Sequence, residues 1–167
     1  MADQNAEHFD VVVVGAGISG IGTGFHLQDK CPGRTYVILE GREAMGGTWD
    51  LFRYPGIRSD SDMHTLGFSF HPWTEAKSIA DGPSIRKYVN ETAHAYGIDR
   101  QIRYGHRVKR AAWSTSDARW SVTATDGSGA EVEFTCNFLS MCSGYYNYAK
   151  GYTPEFVGSA DFGGRIV

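Results

Sequence analysis

Long apolar runs are missing from the 167 residues: no stretch approaches the ~18 consecutive apolar residues of a membrane-spanning helix, so no integral membrane segment is expected. Cysteine is scarce. Cys31, Cys136 and Cys142 form no CxxC pair and no even-numbered framework, which fits a reducing compartment. A positive excess is also lacking, with 16 Lys and Arg against 19 Asp and Glu and a formal charge of −3. A general attraction to nucleic acid or to an anionic membrane is therefore excluded as a first reading. The six histidines show no HxxxH or His/Cys ligand spacing, so no metal site is expected. Met1 to Asp10 is polar and acidic and lacks the basic region and apolar core of a signal peptide, which points to a cytoplasmic protein. What the chain has in excess is glycine, 21 residues without a collagen period or a low-complexity tract. Such an excess implies many tight turns, or backbone lying close to a ligand.

The opening reads as strand, glycine turn, helix, strand. Phe9 to Val14 is a β-branched run of the kind buried on both faces in a parallel sheet. Ile18, Ile21 and Phe25 then recur at helical spacing from Gly17 to about Asp29, and Pro32-Gly33 stops the helix. Thr35 to Leu39 is a second strand, and the three elements make a βαβ unit. From Gly41 to Pro72 there is no sustained period, but Trp49, Phe52, Tyr54, Phe68 and Phe70 argue against disorder. This segment is expected to be an ordered, ligand-facing loop. Asp81-Gly82-Pro83 opens a helix whose apolar face runs through Ile85, Tyr88, Val89, Thr92, Ala93 and Tyr96 and ends at Gly97. Short β-like runs follow at 107–113, 119–125 and 131–136, the last two around the hairpin signal Asp126-Gly127-Ser128-Gly129. They predict an antiparallel meander inserted into the parallel sheet. Residues 137–142 read as a further, separate strand. The glycine-rich tail reads as a linker leading into Arg165-Ile166-Val167.

Gly15-Ala16-Gly17-Ile18-Ser19-Gly20 follows a strand, opens a helix, and precedes Glu40 at the end of the second strand, which is the context a dinucleotide fingerprint needs. Gly15 makes the tight turn, Gly17 lets backbone approach a pyrophosphate, and Gly20 packs helix on strand. The helix N-terminus offers free N–H groups to phosphate, and Glu40 can accept from ribose hydroxyls while repelling a 2′-phosphate. FAD or NAD is favoured there over NADP. Gly46-Gly47-Thr48-Trp49 reads either as backbone beside the second phosphate with Trp49 against the flavin, or as a turn with a packed tryptophan. Around the turn Arg53 to Asp60, Arg58 could meet a phosphate and Asp60 a flavin or sugar edge, with surface ion pairing as the competing account. Arg100, Arg103, Arg107, Lys109 and Arg110 near Trp113 read as the solvated face of a strand rather than a nucleic-acid site. Ser19 lacks the GxSxG elbow of acyl-transfer enzymes.

The string Gly46 to Asp60 (GGTWDLFRYPGIRSD), after that fingerprint, resembles the class B flavoprotein monooxygenases of Baeyer–Villiger type, and within them the mycobacterial ethionamide-activating kind. Asp50 departs from the tyrosine more usual in other Baeyer–Villiger enzymes. Phe138 to Tyr148 and Phe162 to Val167 are similar to further stretches of the family, the latter to the start of F-x-G-x-x-x-H-x-x-x-W. The resemblance implies an α/β, Rossmann-like FAD-binding fold with an inserted antiparallel meander, incomplete at the C-terminus. It implies residues 1–148 as the FAD-binding part, and 149–167 as a linker and first strand of an NADPH-binding domain. It implies that Gly15, Gly17, Ser19 and Gly20 hold the FAD pyrophosphate and Glu40 the ribose. Thr48, Trp49, Leu51 and Asp60 would line the flavin, in a cofactor-binding stretch that also includes Gly47 and Asp50. Val108 would meet adenine through its backbone, Gly144 would let the chain pass the cofactor, and Arg58, Ser59 and Asp60 would lie near the nicotinamide. The family oxygenates small ketones or sulfur compounds with NADPH and O₂ through a flavin C4a-peroxide. On this reading the chain is the N-terminal portion of such an enzyme, contains no catalytic residue, is inactive alone, and self-associates through surface left uncovered. The alternatives are a flavin-dependent reductase or amine oxidase fragment, and a non-catalytic nucleotide-binding module.

Overall fold

The computed structural model describes residues 6–166. Strand β1 (Glu7–Val14) carries Val11 to Val14, all buried, into helix α1 (Ile18–Lys30) and strand β2 (Tyr36–Leu39). β1 and β2 pair in parallel with Val11 opposite Tyr36 and Val14 opposite Leu39. The β-branched runs therefore form the buried centre of a sheet, as their composition predicts. Beyond β2, helices α2 (Thr48–Leu51), α3 (Met63–Leu66) and α4 (Gly82–Ala95) are followed by β3 (Ile102–Arg103), β4 (Arg107–Ser114), β5 (Arg119–Thr125) and β6 (Glu131–Met141). The sheet has six strands in the order β3-β2-β1-β6-β5-β4. β3, β2, β1 and β6 run parallel, and β6, β5 and β4 antiparallel, which makes it a mixed Rossmann-like sheet.

One expectation is corrected. Residues 131–136 and 137–142 do not form two strands but the single strand β6. Its first half pairs antiparallel with β5, from Glu131 opposite Thr125 to Cys136 opposite Trp120. Its second half continues beside β1 to Met141 opposite Val14. No turn residue separates Cys136 from Asn137, so nothing in the chain breaks the ladder there. The meander is thus an extension of the parallel sheet through one shared strand.

The two sheet faces bury separate cores. On one face Val11, Val13, Tyr36 and Ile38 meet Ile21 of α1 and Ile85, Val89 and Ala93 of α4. On the other, Val12, Val14, Val37 and Leu39 meet Val122, Ala124, Phe134 and Cys136 of the meander. Period-2 alternation in β1 and β2 therefore feeds both layers. Helix α4 starts where the sequence predicts, with the Asp81 carboxylate accepting from Ser84 N–H at 2.9 Å and Pro83 in the first turn. Such a cap contributes about 1 kcal/mol to helix stability. The tail carries a short 3-10 turn at Ser159–Asp161 and no strand at 165–166, and Val167 lies outside the described residues.

The 41–81 segment holds only the short helices α2 and α3, and aromatic stacking fixes its part around Phe68 and Phe70. Phe70 lies parallel to Phe25 of α1, with ring centres 3.6 Å apart, and stacks on Phe68, which stacks in turn on Tyr88 of α4. Tyr88 Oη accepts from Phe68 N–H at 2.7 Å, and Tyr96 Oη donates to the Phe70 carbonyl at 2.7 Å. Both phenols keep a polar partner while their rings fill the layer between loop and helices.

Candidate functional site

The site lies where β1 turns into α1. Gly15 has φ +102°, and a Cβ there would sit 2.6 Å from the Cys142 carbonyl oxygen. Its N–H donates to the Leu39 carbonyl at 2.8 Å, and Cys142 N–H donates to the Val14 carbonyl at 2.9 Å. The turn is therefore wedged between the ends of β2 and β6. Gly20 explains the tightness of the helix on that turn, because a Cβ on it would lie 1.9 Å from the Gly15 carbonyl oxygen. Gly17 caps α1 with no side chain, and the first turn holds no acidic residue. The open N–H groups and the positive end of the helix dipole remain available to an anion.

A second turn closes over this mouth. Gly46 N–H donates to the Ala16 carbonyl at 2.9 Å. A Cβ on Gly17 would lie 3.5 Å from the Gly47 Cα, and one on Gly47, where φ is +56°, would lie 3.0 Å from the Gly17 Cα. The two glycine turns thus pack backbone to backbone, in ordinary contact at the Gly17 position and tight at Gly47.

Glu40 is buried, at 7% exposure, at the tip of β2. Its Oε2 accepts from Ala16 N–H at 2.9 Å and its Oε1 from Arg42 N–H at 3.0 Å. The carboxylate is thus tied to the glycine loop, and each oxygen keeps lone-pair capacity. Nearby, burial and then the Asp99 and Glu40 carboxylates push the Tyr104 phenol up, so it stays neutral.

The expected site residues do not all converge. Gly15, Gly17, Ser19, Gly20, Glu40 and Gly47 surround the mouth of α1, with Thr48, Trp49 and Leu51 on α2 next to it. Trp49 also packs against the helix-side core and lines a cleft of about 480 Å³ with Phe52, Tyr54, Ile57 and Pro83. Gly144 follows the end of β6 with φ +76°. Val108 lies on β4 opposite Ala124, two residues past His106, whose N–H donates to the Glu40 carbonyl at 2.8 Å. The Arg58-Ser59-Asp60 stretch stands apart from the glycine turns in its contacts. Arg58 pairs with Asp81 through an isolated antiparallel backbone bridge, Ser59 is buried with its N–H donating to the Ala80 carbonyl at 2.9 Å, and Asp60 is exposed.

Asp50 has partners that no sequence pattern announced. Its Oδ2 accepts from Arg42 Nη1 at 3.0 Å and its Oδ1 from Arg53 Nη2 at 2.9 Å. Arg86 Nε lies 2.7 Å from Oδ1 with its N–H aimed off the oxygen, a contact of charges rather than a hydrogen bond. Arg42 and Arg86, which face the Asp50 carboxylate, were not singled out from the sequence, and Arg53 was noted only as part of its turn. The only signal for Arg42 was a cation between Glu40 and the second glycine pair. Of the basic stretch, Arg103 pairs with Glu7 at 2.6 and 2.7 Å and lies over the Phe9 and Phe134 rings.

Comparison with known proteins agrees with this geometry. Residues 13–82 match the NAD(P)-binding Rossmann-like domain. The chain is 63% identical over 161 residues to the FAD-containing monooxygenase EthA of Mycolicibacterium smegmatis. It is similar to part of an FAD-containing monooxygenase. The match takes in 96% of this chain but 32% of that relative, so the chain spans about a third of the length of the curated protein it matches. Among solved structures, an oxidised steroid monooxygenase bound to NADP superposes with a TM-score of 0.75 at 31% identity, over 89% of this chain and 28% of that one. OTEMO in complex with FAD and NADP gives 0.75 at 31% identity, over 92% and 29%. Among the described residues no helix is long and apolar enough to cross a membrane.

Proposed function

We propose that this chain binds FAD and is the FAD-binding part of an NADPH-dependent monooxygenase that oxygenates small ketones or sulfur compounds. One observation carries the reading: an uncapped helix mouth lies against a second glycine turn, tied to it by the Gly46 N–H, with a buried carboxylate tied to its rim. Gly15, Gly17, Ser19 and Gly20 would hold the pyrophosphate through backbone N–H groups, and the free lone pairs of Glu40 would take the ribose hydroxyls. Gly47, Thr48, Trp49, Asp50, Leu51 and Asp60 form the flavin-side stretch, Val108 the adenine contact, and Gly144 the close passage of the chain. Arg58 and Ser59 belong on the nicotinamide side. Bound FAD supplies the redox chemistry and the reaction with O₂, while the protein binds, orients and excludes water. Residues 1–148 are read as the FAD-binding unit and 149–167 as a linker and first strand of the next domain. NADPH binding and substrate selection are assigned to the two thirds of the relatives' length that this chain does not span. A cytoplasmic location follows from the same reading.

Titration of the purified chain with FAD is the test. Stoichiometric quenching of flavin fluorescence, competed by ADP, is expected; no binding of either would overturn the reading. The chain alone is expected not to consume NADPH, and coupled oxygenation of a simple ketone by it would refute the division of labour.

We further propose that the isolated chain self-associates. Phe138 and Met141 on β6, and Tyr145, Tyr152 and Phe156 beyond it, are exposed large apolar side chains on one stretch of chain. Sedimentation should show mass rising with concentration, and a monomer throughout would count against it.

A further inference from the structure

We propose that Arg42 and Asp50 are a positioning pair that holds the second glycine turn against the mouth of α1. The proposal rests on the FAD reading for its ligand but not for its geometry.

The Gly47 carbonyl is the meeting point. It accepts from Asp50 N–H at 3.1 Å, Leu51 N–H at 3.0 Å and Arg42 Nη2 at 2.9 Å. The other arm of the same guanidinium, Nη1, donates to Asp50 Oδ2 at 3.0 Å, and Nε lies 3.7 Å from Glu40 Oε1. Arg42 therefore grips a backbone oxygen and a carboxylate at once, a fork that only a planar guanidinium supplies. From there a closed circuit runs through Gly47 to Gly46, whose N–H reaches the Ala16 carbonyl, through Ala16 N–H to Glu40, and back to Arg42. The Gly46–Ala16 bond joins the two turns directly, and the Glu40–Arg42 side of the circuit joins them a second time. Asp50 is mostly buried and its two carboxylate oxygens accept from Arg42 and Arg53, so its part in the pair is to hold the Arg42 guanidinium in place. Gly47, at φ +56° and ψ −126°, holds a conformation open to glycine and unfavourable for a residue with a Cβ.

Two readouts separate this role from general stability. In the ligand-free chain, Arg42→Met and Asp50→Asn should speed exchange of the Gly46 amide about tenfold, with the β2 amides of 36–39 unchanged. With ADP as probe, each variant should bind about tenfold more weakly, and the Arg42→Met/Asp50→Asn double variant should lose no more than the worse single one. Arg42→Lys, which keeps the charge and loses the fork, should fall between wild type and Arg42→Met, and keeps the test open if the methionine variant does not fold. Arg53→Met, which removes an Asp50 partner without touching Gly47, should leave Gly46 exchange as in wild type. Wild-type exchange at Gly46 in Arg42→Met and Arg42→Lys would overturn the proposal, as would additive losses in the double variant. Failure of the wild-type chain to bind ADP or FAD would instead remove the FAD reading, and the exchange arm would still decide the positioning role.

Discussion

Gly20→Ala is expected to abolish cooperative folding of the chain, or to lower its melting temperature by more than about 10 °C, and to eliminate FAD binding. The added Cβ would stand 1.9 Å from the Gly15 carbonyl oxygen and 3.0 Å from its carbon. Both are backbone atoms, so no side-chain rotation relieves the contact. Gly15 cannot retreat, because its N–H is held by Leu39 and its own Cβ position is filled by the Cys142 carbonyl. Helix α1 would have to lift off β1, taking fully buried Ile21 out of the core. Overpacking of a yielding core costs about 1–3 kcal/mol, and this site does not yield. Against a total stability of about 5–15 kcal/mol, that loss removes much of the margin. Gly127→Ala is the control: its Cβ would meet nothing within 4 Å, and its melting temperature should stay within about 2 °C of wild type. Circular-dichroism melts of both variants decide the matter, and a Gly20→Ala chain melting with wild type would show that the helix-to-turn contact is not fixed.

The βαβ opening was legible because each of its parts carries a local signal. Val11 to Val14 cannot be solvated as a run of β-branched residues, and Gly15 and Gly20 stand where any side chain would collide with backbone. Asp81 and Pro83 announce α4 by the same local logic. The single strand β6 was not legible, since its antiparallel and parallel partners, β5 and β1, are placed by tertiary structure and the residues between Cys136 and Phe138 carry no mark of the change. The Asp50 cluster was hidden for a related reason. Arg86 lies 36 positions away on another helix, and nothing local to Asp50 distinguishes a carboxylate facing three guanidiniums from one lining a ligand. The bonds of the Ser59 N–H and hydroxyl to Ala80 were not legible either, since Ala80 lies 21 positions away.

Glu40 is where structural and ligand roles meet, and substitution should separate them. Glu40→Ala leaves the buried Ala16 and Arg42 N–H groups without acceptors and takes a neighbouring carboxylate from Arg42. At about 1–3 kcal/mol for each of the two orphaned donors, the expected destabilisation is about 2–6 kcal/mol. Glu40→Gln is nearly isosteric and retains one oxygen, so it can satisfy only one of the two N–H groups, while its amide hydrogens point at the other. Its expected loss of stability is about 1–2 kcal/mol, smaller than that of the alanine variant. A hydrogen bond to a charged acceptor contributes about 1.5–3 kcal/mol, so loss of the carboxylate toward ribose should weaken ADP binding by roughly tenfold or more in both variants. Stability and affinity should therefore rank differently: alanine is clearly worse than glutamine for folding, and the two are close for ADP. Adenine-free probes such as inorganic pyrophosphate should bind the glutamine variant nearly as well as wild type, since α1 and its N–H groups are untouched. A glutamine variant that binds ADP like wild type while melting lower would place the carboxylate in the scaffold alone.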